Sequence, residues 1–233
     1  MIAKQKLEEF FKCLFLLMKL FPRKYLAYQM HKLNLVSTSQ WSAIVSAIAI
    51  MYYGAAKLGM AVALPIPPGN ITAVWFPSAI AWVAIVGRGS NISIGTWLAD
   101  FLAAIPSFLD SIHDPRQSLV ICSLCSLGGL LEARLGSRFI RRFIPMAAPF
   151  ASAKSVLKFV LIVAICTGLN ATITLTILCF SGFAEWTNYG FLWLTLWTGN
   201  AISLVVFFPC WWFGSDYPRF AGSPGNGWKH CCC

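Results

Sequence analysis

Charge is scarce in this chain. Only 11% of its 233 residues are charged, and acidic residues number eight. A soluble domain carries about 25% charged residues, so the chain lacks the polar surface that would hold a folded core in water. Histidine is nearly absent: His31, His113 and His230 lie far apart and read as solvated loop residues. Catalytic signatures are missing. There is no phosphate-cradling G-x-x-x-x-G-K-[ST], no zinc-binding H-E-x-x-H and no G-x-S-x-G nucleophile elbow. A disulfide framework is not expected either. Cys13, Cys122, Cys125, Cys166, Cys179 and Cys210 sit in apolar runs, where free cysteine behaves as a small hydrophobe. Cys122 and Cys125 form a C-x-x-C with no second pair, and the contiguous Cys231, Cys232 and Cys233 lack the spacing that wraps a tetrahedral metal. The expectation is a protein with no enzymatic activity, no cofactor and no metal.

What is abundant is apolar. Hydrophobic residues make up 58% of the chain, with ten tryptophans and eighteen phenylalanines, and mean hydropathy is +0.69. That excludes disorder, which goes with few aromatic and aliphatic residues, and makes the lipid bilayer the expected solvent. The fold class expected is all-α: a polytopic integral membrane helix bundle. A span needs about 17 to 25 apolar residues. Six stretches are expected to cross: Trp41 to Leu64, about Ile71 to Val86, about Ile92 to Leu109, Ser118 to about Leu131 with residues borrowed up to Leu135, about Val156 to Phe180, and about Tyr189 to Phe213. Helix-breaking runs separate them, among them Pro65-Ile66-Pro67-Pro68-Gly69-Asn70, Gly87 to Asn91, and Asp114-Pro115.

The net charge of +10 follows from topology rather than from nucleic-acid binding, since Lys and Arg accumulate in cytoplasmic loops. Seven cations precede Trp41. Arg88 follows the second stretch; Arg134, Arg138, Arg141, Arg142, Lys154 and Lys158 surround the fourth loop; Arg219 and Lys229 lie in the tail. Sixteen of the eighteen cations thus fall on one side, leaving Arg116 opposite and Lys57 inside a span. Both termini are expected in the cytoplasm. Residues 1–40 read as a basic, aromatic-rich leader, either lying along the cytoplasmic leaflet or simply solvated. Residues 41–213 form the transmembrane domain, and 214–233 a short cytoplasmic tail that resembles a truncation end.

Ionisable groups inside a span are costly and signal function or an interface. Asp100, mid-way along the third stretch, is too short to reach an interface. Lys57 is one partner for it, although a long Lys in the outer half of its span is expected to snorkel instead. Glu132 and Arg134 are expected at the cytoplasmic interface, closing the fourth span. Asn170 and Asn200 are expected to bond between helices. Small residues four apart (Ala55, Gly59 and Ala63; Gly95, Ala99 and Ala103; Ala164 and Gly168; Gly199 and Ser203) mark faces where backbones approach.

Two passages carry a family likeness. The first is Ala73-Val74-Trp75-Phe76-Pro77-Ser78-Ala79 opening a short apolar helix, then Gly87-Arg88, then a helix holding Leu98-Ala99-Asp100-Phe101-Leu102. The second is Trp193 and Trp197, then Gly199-Asn200-Ala201-Ile202-Ser203, then Val205-Val206-Phe207-Phe208-Pro209. Together they resemble the membrane-associated sensor domain of bacterial signalling proteins (MASE family, first type), over roughly Trp41 to Phe213. Asn200 stands where many members carry an acid, and Ser203 where glycine is common. The resemblance implies a sensory input domain of the bacterial inner (plasma) membrane, normally joined to a diguanylate cyclase, phosphodiesterase or histidine kinase. After Phe213 only about twenty residues follow, with no GGDEF, EAL or kinase motif, so the domain is expected to be free-standing or truncated. Its implied partners are the bilayer, a small ligand or membrane stimulus, and a second copy of the chain. Trp75, Pro77, Asp100, Trp197, Asn200 and Pro209 are the candidate ligand-crevice or hinge residues; the two prolines remove backbone hydrogen bonds and so are pivots or ordinary helix-end residues. The alternative is a small transporter with Asp100 as its proton or cation site.

Overall fold

The computed structural model describes residues 38–61, 64–66, 69–71, 75–111, 114–146 and 149–214. Nearly all of the expected leader and the whole tail beyond Gly214 lie outside the described residues. Among the described residues there are six helices. α1 spans Thr38–Ala61, α2 Phe76–Arg88, α3 Ser93–Ser111, α4 Pro115–Phe143, α5 Ala153–Phe180 and α6 Tyr189–Gly214. Between α1 and α2, strands β1 (Leu64–Ile66) and β2 (Gly69–Ile71) pair antiparallel, with Leu64 opposite Ile71. Single 3-10 turns, Ser90–Ile92 and Trp186–Asn188, lead into α3 and α6.

Local chemistry sets the helix ends. The Asp114 carboxylate caps α4 by accepting the Arg116 N–H at 2.9 Å, and Pro115 follows in the first turn, where its missing donor costs nothing. Ser152 caps α5 by accepting the Ser155 N–H at 3.2 Å. Gly89 stops α2 at φ +101, a conformation open to glycine. The guanidinium of Arg141 on α4 then donates to the Ile85 and Val86 carbonyls at 2.7 and 2.8 Å, a cation on the unsatisfied carbonyl end of α2.

α1, α3, α4, α5 and α6 pack one against the next, and α2 lies inside this arc against α1, α4 and α6. Every α2 residue from Pro77 to Val86 is buried. A helix apolar on all sides belongs in the interior, and this one has small residues (Ser78, Ala79, Ala81, Ala84) that let several neighbours approach.

Among the described residues four stretches are long and apolar enough to cross a membrane: Ser42–Met60, Pro115–Phe143, Ala153–Phe180 and Trp186–Phe213. Many of their outward residues are large and apolar. Ile50 is 71% exposed, Ile165 65% and Phe180 78%, and large hydrophobics such as Leu124, Leu157 and Val206 join them. Apolar surface on this scale exceeds what a water-soluble monomer shows and suits lipid contact.

Of the six expected spans, α2 and α3 do not meet this measure of length and apolarity. The second stretch forms α2, which begins at Phe76 and has 13 residues, about 20 Å at 1.5 Å per residue and short of a hydrocarbon core of about 30 Å. It starts beside Gly199, because the Trp75 N–H donates to the Gly199 carbonyl at 3.1 Å. α3 has 19 residues but carries Asp100, Pro106 and Asp110, which lower its apolarity. The fourth stretch does not end near Leu131: α4 has 29 residues and continues to Phe143. Arg134, Arg138, Arg141 and Arg142 therefore lie on its last turns and not in a loop.

Candidate functional site

The small-residue faces foreseen from the sequence bring the helices close. An added Cβ at Gly95 on α3 would stand 2.6 Å from Val45 Cγ1 on α1; at Gly128 on α4, which lies outside the foreseen faces, one would stand 2.8 Å from Asn170 Oδ1 on α5. Ala55, Ala99 and Ala103 are buried with them. Close backbones leave room only for short or planar polar groups between helices, and these form two linked sets.

The first set joins α6, α2, α1, α3 and α4. The Ser78 hydroxyl on α2 donates to Asn200 Oδ1 on α6 at 2.7 Å. One turn earlier, Trp75 makes its backbone bond to Gly199. The Trp75 side chain neighbours the Tyr52 hydroxyl of α1, which donates to Asp100 Oδ1 on α3 at 2.9 Å. Beside the Asp100 carboxyl lies Ser126 on α4. The Ser126 hydroxyl is 1% exposed and forms no hydrogen bond of proper geometry. Asp100 itself is enclosed by these side chains yet keeps part of its surface accessible.

The second set centres on Glu132 of α4, 1% exposed. Its Oε1 accepts the Trp82 indole N–H from α2 at 3.1 Å. Its Oε2 accepts the Asn170 amide from α5 at 2.7 Å, and Asn170 Oδ1 in turn accepts the Thr174 hydroxyl at 3.1 Å. Gly136, one turn along α4 from Glu132, makes room for the Trp82 ring. Glu132 also feels the field of Asp100, so both carboxyls belong to one interior. The donors that face them are neutral: a phenol, an indole and an amide.

Of the six candidate residues read from the sequence, four lie together. Trp75, Pro77, Asp100 and Asn200 come together at the junction of α2 with α6, α1 and α3. Pro77 is buried in the first turn of α2, a helix-start position for proline. Trp197 lies apart: its indole donates to the Ala164 carbonyl on α5 at 2.9 Å and its ring stacks on Trp193 at 5.5 Å. Pro209 sits inside α6, about 15 Å along the helix from Gly199. Asn170 and Asn200 bond between helices, as expected.

Glu132, expected from the sequence to close the fourth span at the cytoplasmic interface, is enclosed between α2 and α5, and α4 runs on past it. The available signal was the arginine spacing itself. Arg134, Arg138 and Arg141 recur at helical intervals, which carries the helix past Glu132 and places the acid well inside it. Lys57 does not pair with Asp100. Its ammonium donates to the Ala103 carbonyl of α3 at 3.1 Å and lies 5.6 Å from the Tyr53 ring centroid, in the turn before Pro106. Tyr52 and Ser126 carried no signal in the sequence, since hydroxyls are common in apolar helices.

No protein-family model matches the chain, and no curated protein or solved structure matches it. The helices decide its class. This is a multi-pass helical membrane protein. Among its described residues no group of three His, Cys, Asp or Glu side chains is placed to hold a metal ion.

Proposed function

We propose that the chain is a membrane-embedded sensory input domain of bacterial signal transduction, of the MASE type, with no catalytic activity of its own and with both termini in the cytoplasm. The observation that carries this reading is the joining of its two family-like passages. Trp75-Phe76-Pro77-Ser78 is bonded to Gly199-Asn200, through Trp75 N–H to Gly199 at 3.1 Å and Ser78 to Asn200 at 2.7 Å. Phe76 packs edge-on against Phe207 at 5.2 Å. A ligand or membrane property that alters packing around Asp100 and Tyr52 therefore reaches α6 through the start of α2. α6 runs to Gly214, the end at which family members carry their output module. The signal is a shift between two bundle packings, driven by a stimulus that favours one of them.

The test is a fusion of a diguanylate cyclase or histidine kinase reporter after Phe213 in the bacterial inner membrane. Ser78→Ala and Asn200→Ala cut the bond between α2 and α6. Each is expected to change basal reporter output several-fold while leaving the amount of membrane-inserted protein unchanged. Output unchanged in both variants refutes the reading. A carrier reading has one observation in its favour, the neutral donors around Asp100. Uptake by proteoliposomes that Asp100→Asn abolishes, with reporter output unaffected, selects it instead.

A further inference from the structure

The strongest unassigned feature is the space between α3 and α4 at Gly129. A Cβ placed on Gly129 would meet one heavy atom within 4 Å, Asp100 Oδ2, at 3.9 Å. The carboxylate oxygen thus borders room for about one methyl group. Ser126, one turn before Gly129 on the same helix, brings a buried hydroxyl with no hydrogen-bond partner to that carboxylate. A buried polar group left unpaired is costly, and an anionic group at membrane depth needs a compensating charge. Among the described residues no cation is placed against the Asp100 carboxylate. Tyr52 and Ser126 are neutral, and the Lys57 ammonium is engaged at the Ala103 carbonyl. The other titratable groups whose fields reach or feel this carboxyl are Cys122, Cys125 and Glu132 on α4, none of them cationic.

We propose that Asp100, Ser126 and the gap at Gly129 form a binding site for one small monovalent cation. The ligands are Asp100 Oδ2 and the Ser126 hydroxyl oxygen, and the missing Cβ of Gly129 provides the volume. One carboxylate with neutral oxygen matches a single positive charge. An alkali metal ion and a hydronium ion share this coordination chemistry, and the exposed part of Asp100 gives access from the helix crevice. The site does not depend on the sensory reading: in a sensor the cation is a stimulus, in a carrier it is cargo, and occupancy is measured without either output.

The experiment uses the full chain in nanodiscs, treated with a hydrophobic carbodiimide that modifies membrane-embedded carboxyls, and reads the adduct at Asp100 by peptide mass spectrometry. Asp100→Asn identifies the adduct. Sodium or potassium is compared with N-methylglucamine, each across a pH series. Protection by sodium or potassium of about tenfold or more, equivalent to about 1.4 kcal/mol of occupancy, supports an alkali ion. Modification that ignores salt and falls with rising pH supports hydronium only where Ser126→Ala displaces its midpoint; the same fall with an unmoved midpoint is the titration of an unliganded carboxyl and overturns the proposal. Gly129→Ala puts a methyl into the gap without a steric clash, so it folds; with Ser126→Ala, it is expected to weaken protection, or displace the pH profile, by about tenfold. The proposal is overturned if Asp100 modification is indifferent to both salt and pH, or if Gly129→Ala and Ser126→Ala both leave the profile unchanged.

Discussion

Gly136→Ala tests the packing of α2 inside the arc most sharply. A methyl at this position would stand 2.1 Å from Trp82 Cη2, 2.2 Å from Cζ2 and 2.6 Å from Cζ3. Carbon atoms rest about 3.5–4.0 Å apart, so the ring must retreat by about 1.4 Å. It has nowhere to go. Trp82 is fully buried, and its indole N–H is held by Glu132 at 3.1 Å. Overpacking of this kind costs about 1–3 kcal/mol, and a lost interhelical hydrogen bond in a membrane adds about 0.6 kcal/mol. Alanine recovers up to about 1 kcal/mol of helix propensity over glycine, which a control removes. Gly54→Ala on α1 makes the same chemical change with nothing within 4 Å of the new methyl. The difference between the two variants is therefore expected to be about 2–3 kcal/mol, close to a 30-fold or greater change in the folded fraction. Reversible unfolding in bicelles, followed by steric trapping or tryptophan fluorescence, measures it. Trp82→Phe removes the outer ring atoms that the methyl strikes, so the double variant is expected to recover part of the loss. If Gly136→Ala is as stable as Gly54→Ala, α2 is not the enclosed helix described here.

Glu132→Leu is expected to destabilise the bundle by about 1–3 kcal/mol, because the Trp82 N–H and Asn170 amide lose their buried acceptor. Glu132→Gln keeps an acceptor and is expected to lie between Leu and the native residue in thermal stability in detergent; equal stability of Leu and the native protein would contradict the network. Reporter fusions at Gly69 and Glu185 are expected to read periplasm and those at Arg138 and Asp216 cytoplasm, and a periplasmic signal at Arg138 would reverse the topology.

The chain's solvent and helical class were legible without coordinates, because both depend on composition and on run length. So was the need of Asp100 for a polar partner, since a short acid in an apolar run has no inexpensive solution. The faces on which helices meet were also legible, from small residues at four-residue spacing. Tertiary structure decided what those faces hold. The passage around Trp75 has the hydropathy of a span, yet α2 has only 13 residues; its first turn is bonded to the middle of α6 and its last is closed by Arg141 from α4. Charge alone did not reveal that Glu132 is enclosed; that depends on α2 and α5 packing against α4, which brings Trp82 and Asn170 to its carboxylate. The partnership of Tyr52 with Asp100, 48 residues apart in the chain, depends on the packing of α1 on α3. A one-dimensional pattern sets which face of each helix is apolar, but it does not set which polar group stands opposite another once five helices close around a sixth.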